Sequence, residues 1–401
     1  MGSLEERNGL CALAQRRLPP RSVRQAQLRN AGVIALRVGV FATVVKQVAS
    51  CAVPLPELLR ELLTTPGPSG HERAAAAAFR RSAEAFADVS ADALGSVSAR
   101  VKGTGDGPTF ALVGHIDEIG LAVTHVDDKG FLFFRGLGGW LPEVLLAQRV
   151  VVITRDGAIP GVIGKKRGPF KKDKDEKIEL KDLHIDIGAR DGNDARTRVR
   201  VGDGAVLAGE PVELPNERVV SRSFDNRIGC YVALEAARRI AEAGGVTGDV
   251  VAVAAVGEEV GDFAGSRTTA YSVRPDVAVA IDVTNAQDIP GAEVEESGDN
   301  PVAGGPVISR GAPLTAAVFD LLSGTAEQEG IAYTIEVVTG RTHTDADAYH
   351  LSRAGIPTGL VSIPTRYIHT PTELVSLEDV ENAVKLLVAF AGKIASASFG
   401  A

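Results

Sequence analysis

Four runs of small and β-branched apolar residues, each leading into a histidine or a carboxylate, constrain this chain more than any other feature. "FALVGHIDEIG" (110–120) delivers His115 and Asp117, and "VAVAAVGEEVGD" (251–262) delivers Glu258 and Glu259. "DVAVAIDVT" (276–284) delivers Asp282, while "TGLVSIPTRYIHTPTE" (358–373) passes through a short loop to His369. Apolar runs without polar alternation read as strands buried on both faces, and stretches such as 229–245 and 313–330 between them read as helices. The alternation predicts an α/β fold whose sheet is covered by helices on both faces. In open sheets of this kind ligands gather beyond the carboxyl ends of the strands, so separate strands bring these groups around one crevice.

A fifth group comes from "SRSFDNRIGCYVALEA" (221–236), where Asp225 precedes a helix. Taken alone, Asp225 is a helix cap, His115 a turn residue and Asp282 a loop cap. Their coincidence at strand ends favours a shared metal site. Two neutral histidines, His115 and His369, with Asp225, Glu259 and Asp282 supply three negative charges, which two divalent ions and one hydroxide neutralise. Two-metal centres, with ions roughly 3.5–4 Å apart, need such a set with one carboxylate bridging, and Asp225 is the expected bridge. Asp117, two residues from His115, is suited to hold the other ring nitrogen. Adjacent residues on an extended backbone point to opposite sides, so one member of the Glu258–Glu259 pair should bind an ion. The other is then free to act as general base and acid. Imidazole and carboxylate donors suit zinc, cobalt or manganese.

The rest of the chain sets the context. Residues 54–87 read as helix, Pro/Gly turn, helix, with Ser69 as cap of the second helix. Between about 121 and 216 the texture changes to short strands such as "FLFFRGL", "RVVVIT" and "GVIGKK" punctuated by Gly and Asp, which predicts a small β-barrel inserted into the α/β domain. The expected organisation is an N-terminal extension (1–52), a catalytic domain in two parts (53–120 and 217–401) and the barrel (121–216). The mixed-charge run "KKRGPFKKDKDEKIELKD" (165–182) reads as a solvated loop. Residues 1–52 hold eight Lys/Arg against Glu5 and Glu6, so of a net −8 the remainder carries −14. Such an acidic body argues against general nucleic-acid binding. The extension is expected to be disordered or to reflect a misplaced start codon rather than an export signal, since Arg37 breaks its apolar run. No stretch reaches the roughly 20 apolar residues that span a bilayer. Three scattered cysteines, Cys11, Cys51 and Cys230, imply no disulfide framework and fit a reducing cytoplasm.

The motifs "GHIDEIG", "SFDNRIG", "VGEEVG", "AIDVT" and "IPTRYIHTPTE" resemble, in order and context, the tetrahedral (TET-type) glutamyl/leucyl aminopeptidase family of metallopeptidases, some members of which are labelled cellulases or endoglucanases. "LLTTPGPSGHE", "GLGGW" and "HIDIGA" extend the likeness over roughly 55–395. The resemblance implies a zinc-peptidase-like catalytic domain with a mixed sheet and a barrel-like dimerisation insert, in dimers that often build a hollow dodecamer. It implies that His115, Asp225 and Asp282 hold one ion and Asp225, Glu259 and His369 the other, with Glu258 as general base and Asp117 as the orienting carboxylate. "RTHTDADAYH" (341–350) corresponds to a Thr-Asp-Ala segment of the family, so Thr344 and Asp345 are expected to line the pocket or support the ligands. His343, Asp345 and Asp347 make this segment richer in potential ligands than the family pattern. The expected activity is removal of N-terminal residues from short peptides. Carboxypeptidase or deacylase action on the same metal pair, β-glucan hydrolysis and a non-catalytic scaffold are the alternatives; blocked peptides, chelation and turnover assays separate them.

Overall fold

The computed structural model describes residues 54–166 and 177–399. The expectations for the N-terminal extension and for the centre of the charged loop, 167–176, lie outside the described residues. Helices α1 (Glu57–Thr64) and α2 (Arg73–Ala83) precede strands β1 (Asp88–Ala91), β2 (Val97–Val101) and β3 (Gly107–His115). Six strands follow: β4 (Gly120–Val126), β5 (Leu132–Leu137), β6 (Arg149–Thr154), β7 (Gly157–Lys165), β8 (Leu183–Asp186) and β9 (Gly204–Leu207). The chain then runs through β10 (Val212–Leu214), β11 (Arg218–Ser221), α3 (Phe224–Glu242), β12 (Gly248–Ala255), α4 (Ala264–Val273), β13 (Val277–Asn285) and β14 (Val307–Gly311). It ends with α5 (Ala316–Glu329), β15 (Thr334–Val338), α6 (Ala346–Tyr349), β16 (Thr358–Thr365), β17 (Glu373–Ser376) and α7 (Leu377–Lys393).

The main sheet has eight strands in the order β1-β2-β12-β3-β13-β16-β14-β15. Its four central strands, β12, β3, β13 and β16, are mutually parallel, whereas β2 and β14 run against them, so the sheet is mixed. The apolar runs are apolar throughout because both faces are covered. Along β3, Phe110 and Leu112 pack into the layer formed with α3 and α7, while Ala111 and Val113 face the layer that contains Ala270 of α4 and Tyr349 of α6. The same alternation divides Val250, Ala252 and Ala254 of β12 from Val251, Val253 and Ala255. Helix α7 shows the complementary pattern. Leu377, Val380, Ala383, Val384, Leu387 and Ala391 recur at three- and four-residue spacing and are buried, and the Ser376 hydroxyl caps its start by accepting from the Glu378 N–H at 3.3 Å.

Strands β4 to β9 close into a barrel in the order β4-β5-β8-β7-β6-β9, inserted between β3 and β10. Its interior is filled by the inward set of each strand, including Leu121 and Val123 of β4, Leu132 of β5, Val150 and Val152 of β6 and Ile185 of β8. Closure leaves these strands no open edge.

Two glycines bring α3 against the sheet. A Cβ on Gly114 would lie 2.6 Å from the backbone of Gly229 and Cys230, and one on Gly229 would lie 2.3 Å from the Ile281 carbonyl oxygen. Only hydrogen at both positions lets the first turn of α3 rest on the ends of β3 and β13.

Candidate metal centre

Because β12, β3, β13 and β16 are parallel neighbours, the groups near their carboxyl ends converge. His115 closes β3, Asp282 lies on β13, Glu258 and Glu259 follow β12, and His369 follows β16. Asp225 enters from the start of α3, held there by the glycine contacts just described.

Asp225 faces both histidines. Its Oδ1 lies 3.1 Å from His115 Nε2 and its Oδ2 3.3 Å from His369 Nε2. Glu259 Oε2 is also 3.3 Å from His369 Nε2, while Asp282 Oδ1 and Glu258 Oε2 are 4.0 and 3.7 Å from His115 Nε2. Donor atoms sharing one tetrahedral ion at about 2.1 Å are spaced about 3.4 Å apart, close to these separations. Two overlapping triads keep all their donor atoms within 4.8 Å of one another: His115, Asp225 and Glu259, and His115, Glu258 and Asp282. The second triad groups Glu258 with His115 and Asp282, a combination that the sequence reading did not contain. Its cause is local backbone. The doublet sits on a turn, with the Gly261 N–H donating to the Glu258 carbonyl at 2.7 Å, instead of on an extended strand. Both carboxylates therefore reach the cluster, each nearer a different histidine.

Asp117 organises this end of the site. It is fully buried, and its Oδ1 lies 3.4 Å from His115 Nδ1. Its two oxygens accept the backbone N–H groups of Glu258 and Glu259, each at 3.1 Å. Ser69, expected to cap α2, does something else: its hydroxyl donates to Asp117 Oδ2 at 2.7 Å. Helix α2 begins four residues later, at Arg73 after Glu72, with no side-chain cap. Behind Asp117, the buried Glu118 pairs with Arg222 and, at 3.2 Å, with Arg227. Arg227, wholly buried, also donates to the carbonyls of Leu62, Thr65 and Gly67, which fixes the loop carrying Ser69. Sequence reasoning missed Ser69 and both arginines, although all three stand inside or beside the quoted motifs.

The electrostatics point to cations. Burial pushes Glu258 up to about 10, with the charges of Asp282, Asp345 and Glu259 adding to it against His115. Burial and Asp225 push Glu259 up to about 7, and burial, then Asp225 and Asp345, hold Asp282 well above the usual carboxylate range. Asp225 goes the other way: burial would raise it, but the hydrogen bonds from His115 and His369 hold it down. Burial opposes protonation of the histidines, yet their carboxylate neighbours hold His115 well above its ordinary value and His369 at about 11. The crevice thus gathers more negative charge than it can keep ionised on its own. Glu259 Oε1 is buried without a hydrogen-bond partner, as a donor reserved for an ion would be. The donor set, its spacing and this free oxygen all fit divalent metal. The His369 side chain is 37% exposed, against 10% or less for the members of the two triads, so the crevice opens on its side.

Thr344 and Asp345 are both buried. Thr344 bonds within its own loop, to the Thr342 hydroxyl at 2.9 Å and the Ala346 N–H at 3.2 Å. Asp345 accepts from the Ser266 hydroxyl at 2.6 Å, and burial with the charges of Asp117 and Asp225 lifts it to about 6, which places it in the electrostatic field of the cluster. His343 is exposed, and Asp347 is taken up by Arg341 and by the backbone N–H groups of Thr342 and His343.

A parallel-stranded α/β core with buried histidines and carboxylates gathered at its strand ends, and a barrel inserted beside them, defines the class of metal-dependent peptidases. A model of the M42 glutamyl aminopeptidases matches residues 95–386. The chain is 32% identical to a lysyl aminopeptidase from Pyrococcus furiosus over 338 residues, 82% of this chain and 94% of that one. Among solved structures it resembles an aminopeptidase from the archaeon Desulfurococcus kamchatkensis, with a TM-score of 0.79 and 38% identity over 84% of this chain and 94% of that one. It also resembles the Pyrococcus horikoshii TET1 peptidase, described as assembling into a tetrahedron or a large octahedral shell, with a TM-score of 0.75 and 32% identity over 84% and 98% of the two chains. The chain belongs to the M42 glutamyl aminopeptidase family and is a peptide-bond hydrolase of the aminopeptidase kind.

Proposed function

We propose that this protein is a two-metal aminopeptidase that removes single residues from the free N-termini of short peptides. In this reading His115, Asp225 and Asp282 hold one divalent ion and Asp225, Glu259 and His369 the other. The observation that carries it is the position of Asp225, which offers one carboxylate oxygen to each histidine. Zinc and cobalt suit the donor set best, with manganese next. When bound, the ion pair supplies Lewis acidity toward the scissile carbonyl and acidifies water.

The chain's own residues do the remainder. Glu258, on its turn beside the cluster, takes the proton of the attacking water and returns it to the leaving amine. Burial pushes its carboxyl up to about 10, so its ionised form relies on nearby positive charge. Asp117 fixes the His115 ring and both N–H groups of the doublet, so the base and its neighbour keep their separation. The homo-oligomer proposed here, a tetrahedral dodecamer, follows the TET1 likeness, and a cytoplasmic site of action follows the cysteine usage. Among the described residues no helix is long and apolar enough to cross a membrane.

The deciding experiment combines metal analysis of the purified protein with a panel of aminoacyl amides and their N-acetylated counterparts. Two ions per subunit and hydrolysis of the free amines alone are expected. Equal cleavage of the blocked series would make the protein another kind of two-metal amidohydrolase.

A further inference from the structure

We infer that Glu373 is a positioning residue that sets the spacing between Asp225 and His369 by holding the backbone of both; the inference rests on the two-ion reading above. Glu373 is the first residue of β17 and is 2% exposed. One carboxylate oxygen, Oε2, accepts the N–H of Asp225 at 3.1 Å, and the other, Oε1, accepts the N–H of His369 at 3.1 Å. A single rigid planar group thus ties together two segments 144 residues apart in the chain, each carrying one of the side chains that converge at 3.3 Å.

The two segments need such a tie. Asp225 lies where the entry to α3 departs from helical geometry, at φ −76° and ψ 106°, just after Ser223 in the left-handed region at φ 59°. His369 itself sits at φ 62°, with Tyr367 at φ 63° two residues before it. L residues avoid this region, so neither loop would keep its shape by local preference. Neither N–H has a sheet or helix partner in its place, and a buried N–H must find an acceptor. Glu373 supplies both acceptors at once, from a position fixed by the β11–β17 pairing of Ser221 with Glu373. Both of its hydrogen bonds go to backbone N–H groups, those of Asp225 and His369. It therefore acts on the site through geometry, and removing it lets Asp225 and His369 drift apart while all five proposed ligands remain.

The test uses the full-length protein stripped of metal and titrated with cobalt by calorimetry and by visible absorption, alongside thermal melts without metal. Glu373→Gln keeps one acceptor and turns an amide N–H toward the other backbone N–H; Glu373→Asp keeps the carboxyl group and the β11–β17 ladder but is too short to span both groups. Wild type is expected to take up two cobalt ions. In both variants the step involving His369 should weaken about 10- to 100-fold, the range typical of residues that support metal ligands. The melting temperature without metal should move little in Glu373→Asp. Unchanged cobalt affinities in both variants would overturn the role of Glu373 while leaving the two-ion reading intact. Failure of the wild-type protein to take up cobalt would overturn that reading first.

Discussion

The barrel and the sheet beside it build their interiors from opposite materials. The barrel core is apolar from wall to wall, and among the described residues none between Ile119 and Val220 is both buried and polar or charged. The main-sheet region, in contrast, buries His115, Asp117, Glu118, Arg222, Asp225 and Arg227 within a few residues of one another along two strand-to-loop junctions, with Glu258, Asp282 and Asp345 close by. Buried apolar groups stabilise in proportion to the area they hide. Buried charges cost free energy unless they are paired, and a unique arrangement is what they give in return. The barrel core is thus where stability and function are expected to be separable, while at the strand ends the two are expected to rest on the same side chains.

The largest effects should fall where charge is buried next to the proposed chemistry. Glu258→Gln is expected to lower kcat by about 10²–10⁴-fold with both metal ions retained, as measured by steady-state kinetics and elemental analysis. A variant that loses its metal along with its activity would move Glu258 into the ligand set, where the geometric triad of His115, Glu258 and Asp282 already groups it. Next comes Arg227→Met, which removes one of the two ion-pair partners of Glu118 and releases three backbone carbonyls. It should cost about 3–5 kcal/mol in urea unfolding. The contrast with the barrel is drawn by Ile185→Ala, a fully buried residue paired with Leu132 across β5 and β8. That change should cost about 2–5 kcal/mol of stability and leave kcat/KM within about twofold. A barrel variant that lost activity at a temperature where it stays folded would break the separation.

How much of this was legible in the sequence depends on what each residue touches. The strand ends were readable because a run that is apolar at every position can only be covered on both faces, and a His, Asp or Glu at its end stands out. The barrel was readable as texture, but its order β4-β5-β8-β7-β6-β9 was not, since pairing between non-consecutive strands leaves no mark on either. Glu118, Arg222 and Arg227 belong to residue types that default to the surface, so nothing local announces a buried triad. Ser69 and Glu373 were hidden for another reason. Their partners lie 48 and up to 148 residues away, and for Glu373 they are backbone N–H groups, which every residue except proline carries. Positions that shape a site through the main chain are invisible to pattern until the fold brings them together.

Ser69→Ala should show a smaller version of the charged-site behaviour. It deletes a buried hydroxyl donor to the Asp117 carboxylate, worth about 1.5–3 kcal/mol, and should be read as a rise in the metal concentration needed for half-maximal activity, with Ser69→Thr recovering part of the loss.

The smallest effect belongs to a charge at the far end of the sheet, where solvent is near. Asp249, on β12, accepts from the Gly103 N–H at 2.9 Å, Arg100 at 2.8 Å and Lys102 at 3.2 Å. Burial would raise its pKa, but these hydrogen bonds hold it below the ordinary value of 3.8. A carboxyl whose folded pKa is depressed contributes stability that is fully present above the unfolded value and disappears as pH falls through the folded one. Asp249→Asn should therefore cost about 1 kcal/mol at pH 7 and progressively less below about pH 3.8, in chemical denaturation across that range. Activity should be unchanged, since the residue sits at the start of the strand whose other end carries Glu258 and Glu259. A pH-independent loss would mean that Asp249 acts by packing or shape, and the division between charges that serve the fold and charges that serve the site would then have to be drawn elsewhere along β12.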